Sequence, residues 1–162
     1  MNLEELYGTT GHLLRRAHQM ATAVFSAYQS EITGVQYAAL SAIADQPGVD
    51  ATRLSSLIAF DRSTIGGVID RLEQKGLLSR AADVRDRRVK LLYATPTGRA
   101  LLEAHDPLAR SASRQMLAPL TPADQREFVR MLRILIESHG APAGGEPQAA
   151  SPPRRTRSAA PA

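Results

Sequence analysis

The fold is decided by one stretch in the middle of the chain, residues 61–98, which reads DRSTIGGVIDRLEQKGLLSRAADVRDRRVKLLYATPTG. Its first part carries apolar residues at the i, i+3, i+4, i+7 spacing that places them on one face of a helix. Asp61 can cap this helix at its start, and Gly76 is a typical stop at its end. The pattern predicts a helix whose buried stripe is Ile65, Val68, Ile69 and Leu72.

A two-stranded hairpin is predicted after this helix. Residues 77–80 lead into a charged turn, and apolar and polar residues then alternate through residues 88–93, which is the period of a strand. Thr95 and Pro96 follow, a cap with proline at the first helical position, so the hairpin leads directly into another helix.

The flanking segments are predicted to be helical as well. They carry apolar residues at helical spacing and end at glycine or proline signals. Thr33 and Gln36 resemble a capping box at the start of the second predicted helix. The residues expected to face inward include Leu54, Leu57 and Ile58 in the third predicted helix and Phe128, Leu132, Leu135 and Ile136 in the sixth. Pro107 is expected to kink the fifth helix. The predicted helices run from about residue 10 to 32, 35 to 45, 50 to 58, 61 to 76, 96 to 118 and from 120 onward. The order of two short helices, a tight connection and a basic hairpin predicts a mainly α fold, a winged helix-turn-helix with six helices and a two-stranded wing.

Composition excludes several classes of protein. The 162 residues include no cysteine, which rules out disulfides, zinc–thiolate sites and thiol chemistry. No phosphate-binding glycine loop, nucleophile elbow or His-Glu-x-x-His motif is present, and the four histidines are scattered, so we expect no enzyme, no cofactor and no metal. With neither an apolar run of membrane length nor a signal peptide, the expected location is cytoplasmic and nucleoid-associated.

The positive charge is concentrated in one segment. Residues 53–90 hold nine of the 20 basic residues and five of the 16 acidic ones, which accounts for the whole net charge of +4. A basic segment in an otherwise neutral chain is typical of a site for a polyanion, although a solvated charge-rich surface is the alternative.

The second helix of a helix-turn-helix lies in the major groove and presents its outer face to the bases. Gly66 and Gly67 each cost a helix about 1 kcal/mol relative to alanine. They indicate the close approach of something bulky, either duplex DNA or a neighbouring helix. The candidate DNA-binding residues of this helix are Arg62, Ser63, Thr64, Gly67, Asp70 and Arg71.

The predicted wing turn supplies the remaining DNA candidates, Arg85, Arg87 and Arg88. We expect Asp83 and Asp86 to clamp the loop through ion pairs with arginine, so that Arg85 or Arg87 enters the minor groove. The alternative is a solvated cluster of ion pairs, although exposed pairs contribute only about 0–1 kcal/mol each.

Several short motifs occur in a fixed order: ITGVQY at 32–37, QPG at 46–48, DRST at 61–64, DRLEQKGL at 70–77, DVRDRR at 83–88 and TPTGR at 95–99. In these motifs the chain resembles the MarR family of bacterial transcriptional regulators, over about residues 10–139. The resemblance implies an intertwined homodimer that binds the two halves of an inverted repeat in double-stranded DNA, usually as a repressor. It also implies that Asp83 and Arg87 correspond to the paired acid and base of the family's wing.

The resemblance further implies a division of the chain into functional parts. Residues 1–32 form an N-terminal dimerisation helix, 33–95 the winged helix-turn-helix and 96–139 the C-terminal dimerisation helices. Residues 140–162 contain five prolines and three glycines, and this composition predicts a disordered tail of Pro, Ala and Arg.

Many family members release DNA when a small aromatic acid binds. The candidate ligand residues lie in one turn of the first predicted helix: Arg15, Arg16, His18 and Gln19. Arginine can hold a carboxylate through two hydrogen bonds; the alternative is a surface arginine pair beside a boundary histidine. The run GHLLRRAHQ at 11–19 resembles regulators of aromatic-acid catabolism and suggests a hydroxylated nicotinate. A winged helix used in DNA architecture or protein binding, without ligand gating, is the alternative function.

Overall fold

The structure is a computed structural model that describes residues 2–28 and 31–138. The predicted tail, 140–162, lies outside the described residues. Within them the fold is mainly α, with a small antiparallel sheet. The elements are α1 (Leu3–Gly8), α2 (Thr10–Tyr28), α3 (Gly34–Asp45), β1 (Val49–Asp50), α4 (Ala51–Leu57), α5 (Arg62–Gln74), β2 (Leu78–Ala82), β3 (Lys90–Ala94), α6 (Pro96–Leu117) and α7 (Pro122–Ser138).

The three strands form a sheet in the order β1-β3-β2. Strands β2 and β3 are the predicted hairpin, in a register that places Leu78 opposite Ala94 and Arg80 opposite Leu92. Strand β1, which the sequence analysis missed, pairs Val49 with Leu92 on the other side of β3. The wing is therefore anchored to the helices through its inner strand.

The main core lies between α3, α4, α5 and the sheet. The predicted stripe of α5 is confirmed, because all four of its apolar residues are buried in this core. One expectation for α4 is wrong: Leu57 is 41% exposed, and the buried residue beside Leu54 is Ser55. Ser55 is accommodated because its hydroxyl donates to the carbonyl of Thr52 at 2.8 Å. The largest of the fully buried side chains are Leu40, Ile43, Leu54, Ile65, Leu72, Leu92 and Ser55.

The start of α6 is fixed to the end of α5 at one crowded junction. The Thr95 hydroxyl donates to the carbonyl of Gly76 at 2.7 Å and accepts from the N–H of Gly98 at 3.0 Å. A Cβ on Gly98 would lie 2.1 Å from the carbonyl oxygen of Leu77. Only glycine fits here, so this contact sets how the long helix α6 leaves the winged helix.

The helices outside the main core differ from the sequence-based expectation at several points. A seventh helix, α1, precedes α2, with a capping box between Asn2 and Glu5. Helix α2 ends at Tyr28 rather than near Ile32, and Ile32 is buried in the main core. Thr33 and Gln36 form the expected capping box of α3, so α3 begins at Gly34 and Ile32 precedes it.

Helix α6 continues through Pro107. It is joined to α2 by a hydrogen bond in which the Tyr28 hydroxyl donates to Oε1 of Gln115 at 2.7 Å. The expectation that Leu135 and Ile136 face inward on α7 is wrong for the single chain, where they are 46% and 61% exposed. None of the helices in residues 2–28 and 31–138 has the combined length and hydropathy needed to cross a bilayer.

Candidate nucleic-acid interface

The N-terminus of α5 is organised around one carboxylate. Asp61 accepts hydrogen bonds from the N–H of Thr64 at 2.8 Å and from the hydroxyls of Ser63 and Thr64 at 2.5 and 2.6 Å. These bonds, that of the Ser63 hydroxyl foremost, hold the pKa of Asp61 well below its usual range. Both hydroxyls therefore donate inward to an ionised carboxylate and present their lone pairs to the exposed surface.

Arg62 joins α5 to the preceding helix. Its Nη2 donates to the hydroxyl of Thr52 at 2.6 Å. The side chain is exposed, but this bond holds its guanidinium over the start of α4. Arg62 therefore carries a positive charge at a fixed place between the two helices of the helix-turn-helix.

The two glycines of α5 face open space. A Cβ on Gly66 would meet nothing within 4 Å, and one on Gly67 would meet only Nη2 of Arg71, at 3.9 Å. The alternative, that the glycines pack against a neighbouring helix, is therefore wrong within the part of the chain that the structure describes. The exposed Arg71 side chain extends along the same surface as Gly67. This helix face therefore has no side-chain atoms at Gly66 and Gly67, and the Arg71 guanidinium lies beside it.

Asp70 is not an isolated acid on this face. Arg80 of β2 forms an ion pair with Asp70 through Nη2, and its Nε lies 3.2 Å from Oε2 of Glu73. The sequence pattern around Arg80 does not indicate this role, because the partners of Arg80 lie on another element. The available signal was the pair of acids three residues apart on the exposed side of α5.

The wing carboxylates bind the backbone rather than arginine side chains. Asp83 Oδ1 accepts from the N–H of Arg85 at 2.6 Å, and Asp86 Oδ1 accepts from the N–H of Arg88 at 2.9 Å. Across residues 2–28 and 31–138, no carboxylate lies within 4.0 Å of the guanidinium of Arg85, Arg87 or Arg88. The expected ion-pair clamp, including the pairing of Asp83 with Arg87, is therefore wrong.

The reason is local. An aspartate that begins a turn reaches the N–H two residues onward without ordering a long side chain, whereas an exposed ion pair must order two side chains. The turn is thus shaped by its own backbone, and the three guanidinium groups remain available to a partner.

A cleft of about 460 Å³ separates α5 from the wing. Its floor is formed by apolar groups such as Ile69 and Leu92, and its rim carries more basic than acidic side chains. A negatively charged backbone that passes between helix and wing would cross this rim. The basic residues that line it are Arg62, Arg80, Arg88 and Lys90, and the acidic ones are Asp50 and Asp70.

Known proteins share this architecture. Residues 32–90 match the MarR family. The HTH-type transcriptional repressor NicR of Pseudomonas putida is 34% identical over 130 residues, which cover 79% of this chain and 82% of NicR. The chain belongs to the MarR family. It is a transcriptional regulator with the winged helix-turn-helix of that family.

Two solved structures extend the comparison over most of this MarR-family chain. Bordetella bronchiseptica BpsR, whose DNA binding is regulated by 6-hydroxynicotinic acid, is 36% identical with a TM-score of 0.76, covering 80% of this chain and 94% of BpsR. Streptomyces coelicolor PcaV, solved with its natural ligand, is 31% identical with a TM-score of 0.77, and the match covers 86% of this chain and 100% of PcaV. The likeness includes the long helices outside the winged helix.

The candidate ligand residues of this MarR-family chain lie on α2. Arg15, Arg16, His18 and Gln19 are all exposed in the single chain. They lie within one turn, as expected, and none of them lines the cleft beneath the wing. Among residues 2–28 and 31–138, no three His, Asp or Glu side chains come together in a way that could hold a metal ion.

Proposed function

We propose that this MarR-family protein is a homodimeric repressor that binds an inverted repeat in double-stranded DNA and is released by a small aromatic carboxylate. The observation that carries the DNA-binding part is the open face of α5 at Gly66 and Gly67, set beside a wing turn, residues 83–88, whose arginines have no carboxylate partner among the described residues. Such a face admits the edge of a base pair, and such a wing attracts phosphate or a narrow groove.

Each part of this surface has its own task. Helix α5 enters the major groove, where Arg71 and the lone pairs of the Ser63 and Thr64 hydroxyls read base edges. Arg62 contacts the phosphate backbone from its place over α4. Of the three arginines in the wing turn, Arg85 and Arg87 reach the minor groove and Arg88 binds phosphate at the cleft. The proposed DNA residues are Arg62, Ser63, Thr64, Gly67, Asp70, Arg71, Arg85, Arg87 and Arg88, of which Asp70 acts through its ion pair.

Dimerisation is supported by apolar surface that the single chain leaves uncovered. Helices α2 and α7 contain no buried residue. A second copy packed on these helices would cover this surface, and its two-fold axis would require an operator of two inverted half-sites. Segments 1–32 and 96–139 are the proposed dimerisation parts and 33–95 the DNA-binding part. The exposed apolar residues are Leu13, Leu14, Met20, Met131, Ile134, Leu135 and Ile136.

The effector proposal is supported by the relatives. NicR is named a repressor, and 6-hydroxynicotinic acid regulates the DNA binding of BpsR. A hydroxylated nicotinate is therefore the first effector to test here. We place its carboxylate against Arg15 or Arg16, with His18 and Gln19 as further hydrogen-bonding groups, because all four side chains are exposed on one turn of α2.

Fluorescence anisotropy tests the whole proposal. The probe is the duplex from directly upstream of the protein's own gene, with a scrambled duplex as control at about 150 mM salt. Selective binding that 6-hydroxynicotinate reverses, and that benzoate does not, would support a ligand-gated repressor. Equal, weak binding to both duplexes with a steep salt dependence would support the architectural alternative instead.

A further inference from the structure

The wing is held to the rest of the fold unevenly. Strand β2 is an edge strand that pairs only with β3. Of its five residues only Leu78, the first, is buried, and residues 79–82 are exposed. Apolar packing therefore holds the base of β2 but not its outer part, although the outer part carries the arginine-rich turn.

One side chain ties the outer part of β2 to α5. Arg80 uses two different nitrogens for two acids: Nη2 pairs with Asp70, and Nε lies 3.2 Å from Oε2 of Glu73. The acids are three residues apart, so they lie one above the other on the face of α5 that looks toward the wing. The Arg80 side chain is 30% exposed. A rigid, planar guanidinium that bridges two carboxylates fixes both the distance and the angle between strand and helix.

We propose that Arg80 is a positioning residue that sets the wing relative to α5, so that one lobe engages the major groove and the minor groove at the same time. The two grooves of a duplex lie at a fixed separation. A wing that swings would have to be ordered when DNA binds, and this ordering lowers affinity. The inference rests on the proposed DNA-binding function, but the position of the wing can be measured without DNA.

A second consequence concerns charge. Asp70 and Glu73 would otherwise face the phosphates beside α5 as two uncompensated carboxylates. Arg80 forms ion pairs with both carboxylates, so its single positive charge offsets one of the two negative charges. Exposed ion pairs of this kind add little to folding stability, so removal of Arg80 should affect DNA binding far more than folding.

The alternative is that Arg80 contacts a phosphate itself. The two possibilities differ in additivity, because distant, independent contacts contribute additively whereas coupled ones do not. If Arg80 positions the wing, Arg87→Ala should matter in the wild-type protein and hardly matter once Arg80 is gone. If Arg80 is an independent phosphate contact, Arg87→Ala should weaken binding by the same factor in both backgrounds.

The first experiment is this double-mutant cycle, measured by anisotropy on the upstream duplex with the full-length protein. We expect Arg80→Ala to weaken binding about tenfold, with a coupling to Arg87→Ala of about fivefold or more. Arg80→Lys keeps the charge but cannot bridge both acids, so it should also weaken binding and leave the salt dependence unchanged. Arg99→Ala removes an exposed arginine from α6 and should leave binding unaltered. Strict additivity, or full binding by Arg80→Lys, would overturn the proposal.

The second experiment needs no DNA. The chain has no cysteine, so Val84→Cys places a single spin label at the wing tip, where Val84 is 99% exposed. Electron paramagnetic resonance should show a more mobile label when Arg80→Ala is added, and no change for a label at Asp45→Cys, an exposed position at the end of α3. Identical wing-tip spectra with and without Arg80 would overturn the positioning role. Failure of the wild-type protein to select the upstream duplex would count against the proposed function alone.

Discussion

Replacing the glycines of α5 by alanine should change folding and DNA binding in opposite directions. Gly66 lies inside the helix, and its new Cβ would meet nothing within 4 Å. Alanine is favoured over glycine in a helix interior by about 0.8–1.0 kcal/mol, so Gly66→Ala should stabilise the fold by about that amount. For a chain of this size, 1 kcal/mol corresponds to roughly 2–4 °C in melting temperature.

The same methyl group should weaken DNA binding. If a base edge packs directly on the helix at Gly66, the added Cβ forces the two surfaces apart. Overpacking of a close contact costs about 1–3 kcal/mol, which is roughly 5- to 150-fold in Kd. Gly67→Ala should behave in the same way, because its Cβ would touch only Nη2 of Arg71, at an ordinary contact distance of 3.9 Å.

The assay is a thermal melt by circular dichroism and an anisotropy titration, done on the same preparation of each variant. Gly11→Ala is the control, because Gly11 also lies in a helix with nothing within 4 Å of an added Cβ, but on α2. It should not weaken DNA binding. A Gly66→Ala protein that binds the upstream duplex as tightly as wild type would refute the placement of this helix face against DNA.

Three further results are expected. Gly98→Ala should destabilise the fold by about 3 kcal/mol, because its Cβ would lie 2.1 Å from the carbonyl oxygen of Leu77; an unchanged melting temperature would contradict the junction described above. Arg16→Ala and His18→Ala should bind the duplex normally but resist release by 6-hydroxynicotinate in the anisotropy assay; release that persists would place the effector elsewhere. Because the pKa of Asp61 is lowered on folding, its stabilising effect should be complete above about pH 5 and decline at lower pH. Asp61→Asn keeps a capping group and should remove this pH dependence from the urea midpoint, and an identical pH profile for both proteins would contradict the assignment.

Features specified by neighbouring residues could be predicted from the sequence. The stripe of α5 follows from a spacing of three and four residues, and the caps at Thr33, Asp61 and Thr95 each act within one turn. The helix α1 and the strand β1 were missed for a physical reason. Six residues and two residues are too short to show a period, and β1 exists because β3 pairs with it.

The long helices show a second limit of prediction from sequence. Apolar spacing in the last predicted helix predicts an apolar face, but it does not say which surface covers that face. Leu135 and Ile136 were expected inside the chain, and the structure leaves them exposed on α7. A pattern read from one chain cannot separate a core inside that chain from a core shared by two copies, since both bury apolar area with the same period.

The candidate site was predictable in its location but not in its pairing. The sequence predicts that the basic segment lies on the helix-turn-helix and the hairpin, as the structure has it, and it suggests that five acids within it would neutralise part of the charge. In the structure, Asp61 binds hydroxyls, while Asp83 and Asp86 bind backbone N–H groups. Only Asp70 and Glu73 pair with a base, and they share a single one, Arg80.

The small number of ion pairs in the basic segment supports DNA binding on electrostatic grounds. Eight of the nine basic side chains in residues 53–90 have no carboxylate within 4.0 Å in the part of the chain that the structure describes. Asp61, Asp83 and Asp86 are held by groups on their own helix or loop, and Asp70 and Glu73 share Arg80, so the five acids neutralise only one of the nine basic side chains directly. A uniform charge count therefore underestimates the positive potential at the tip of the wing and along α5. The fold separates the two signs of charge, and it places the positive one where a polyanion can meet the open glycine face.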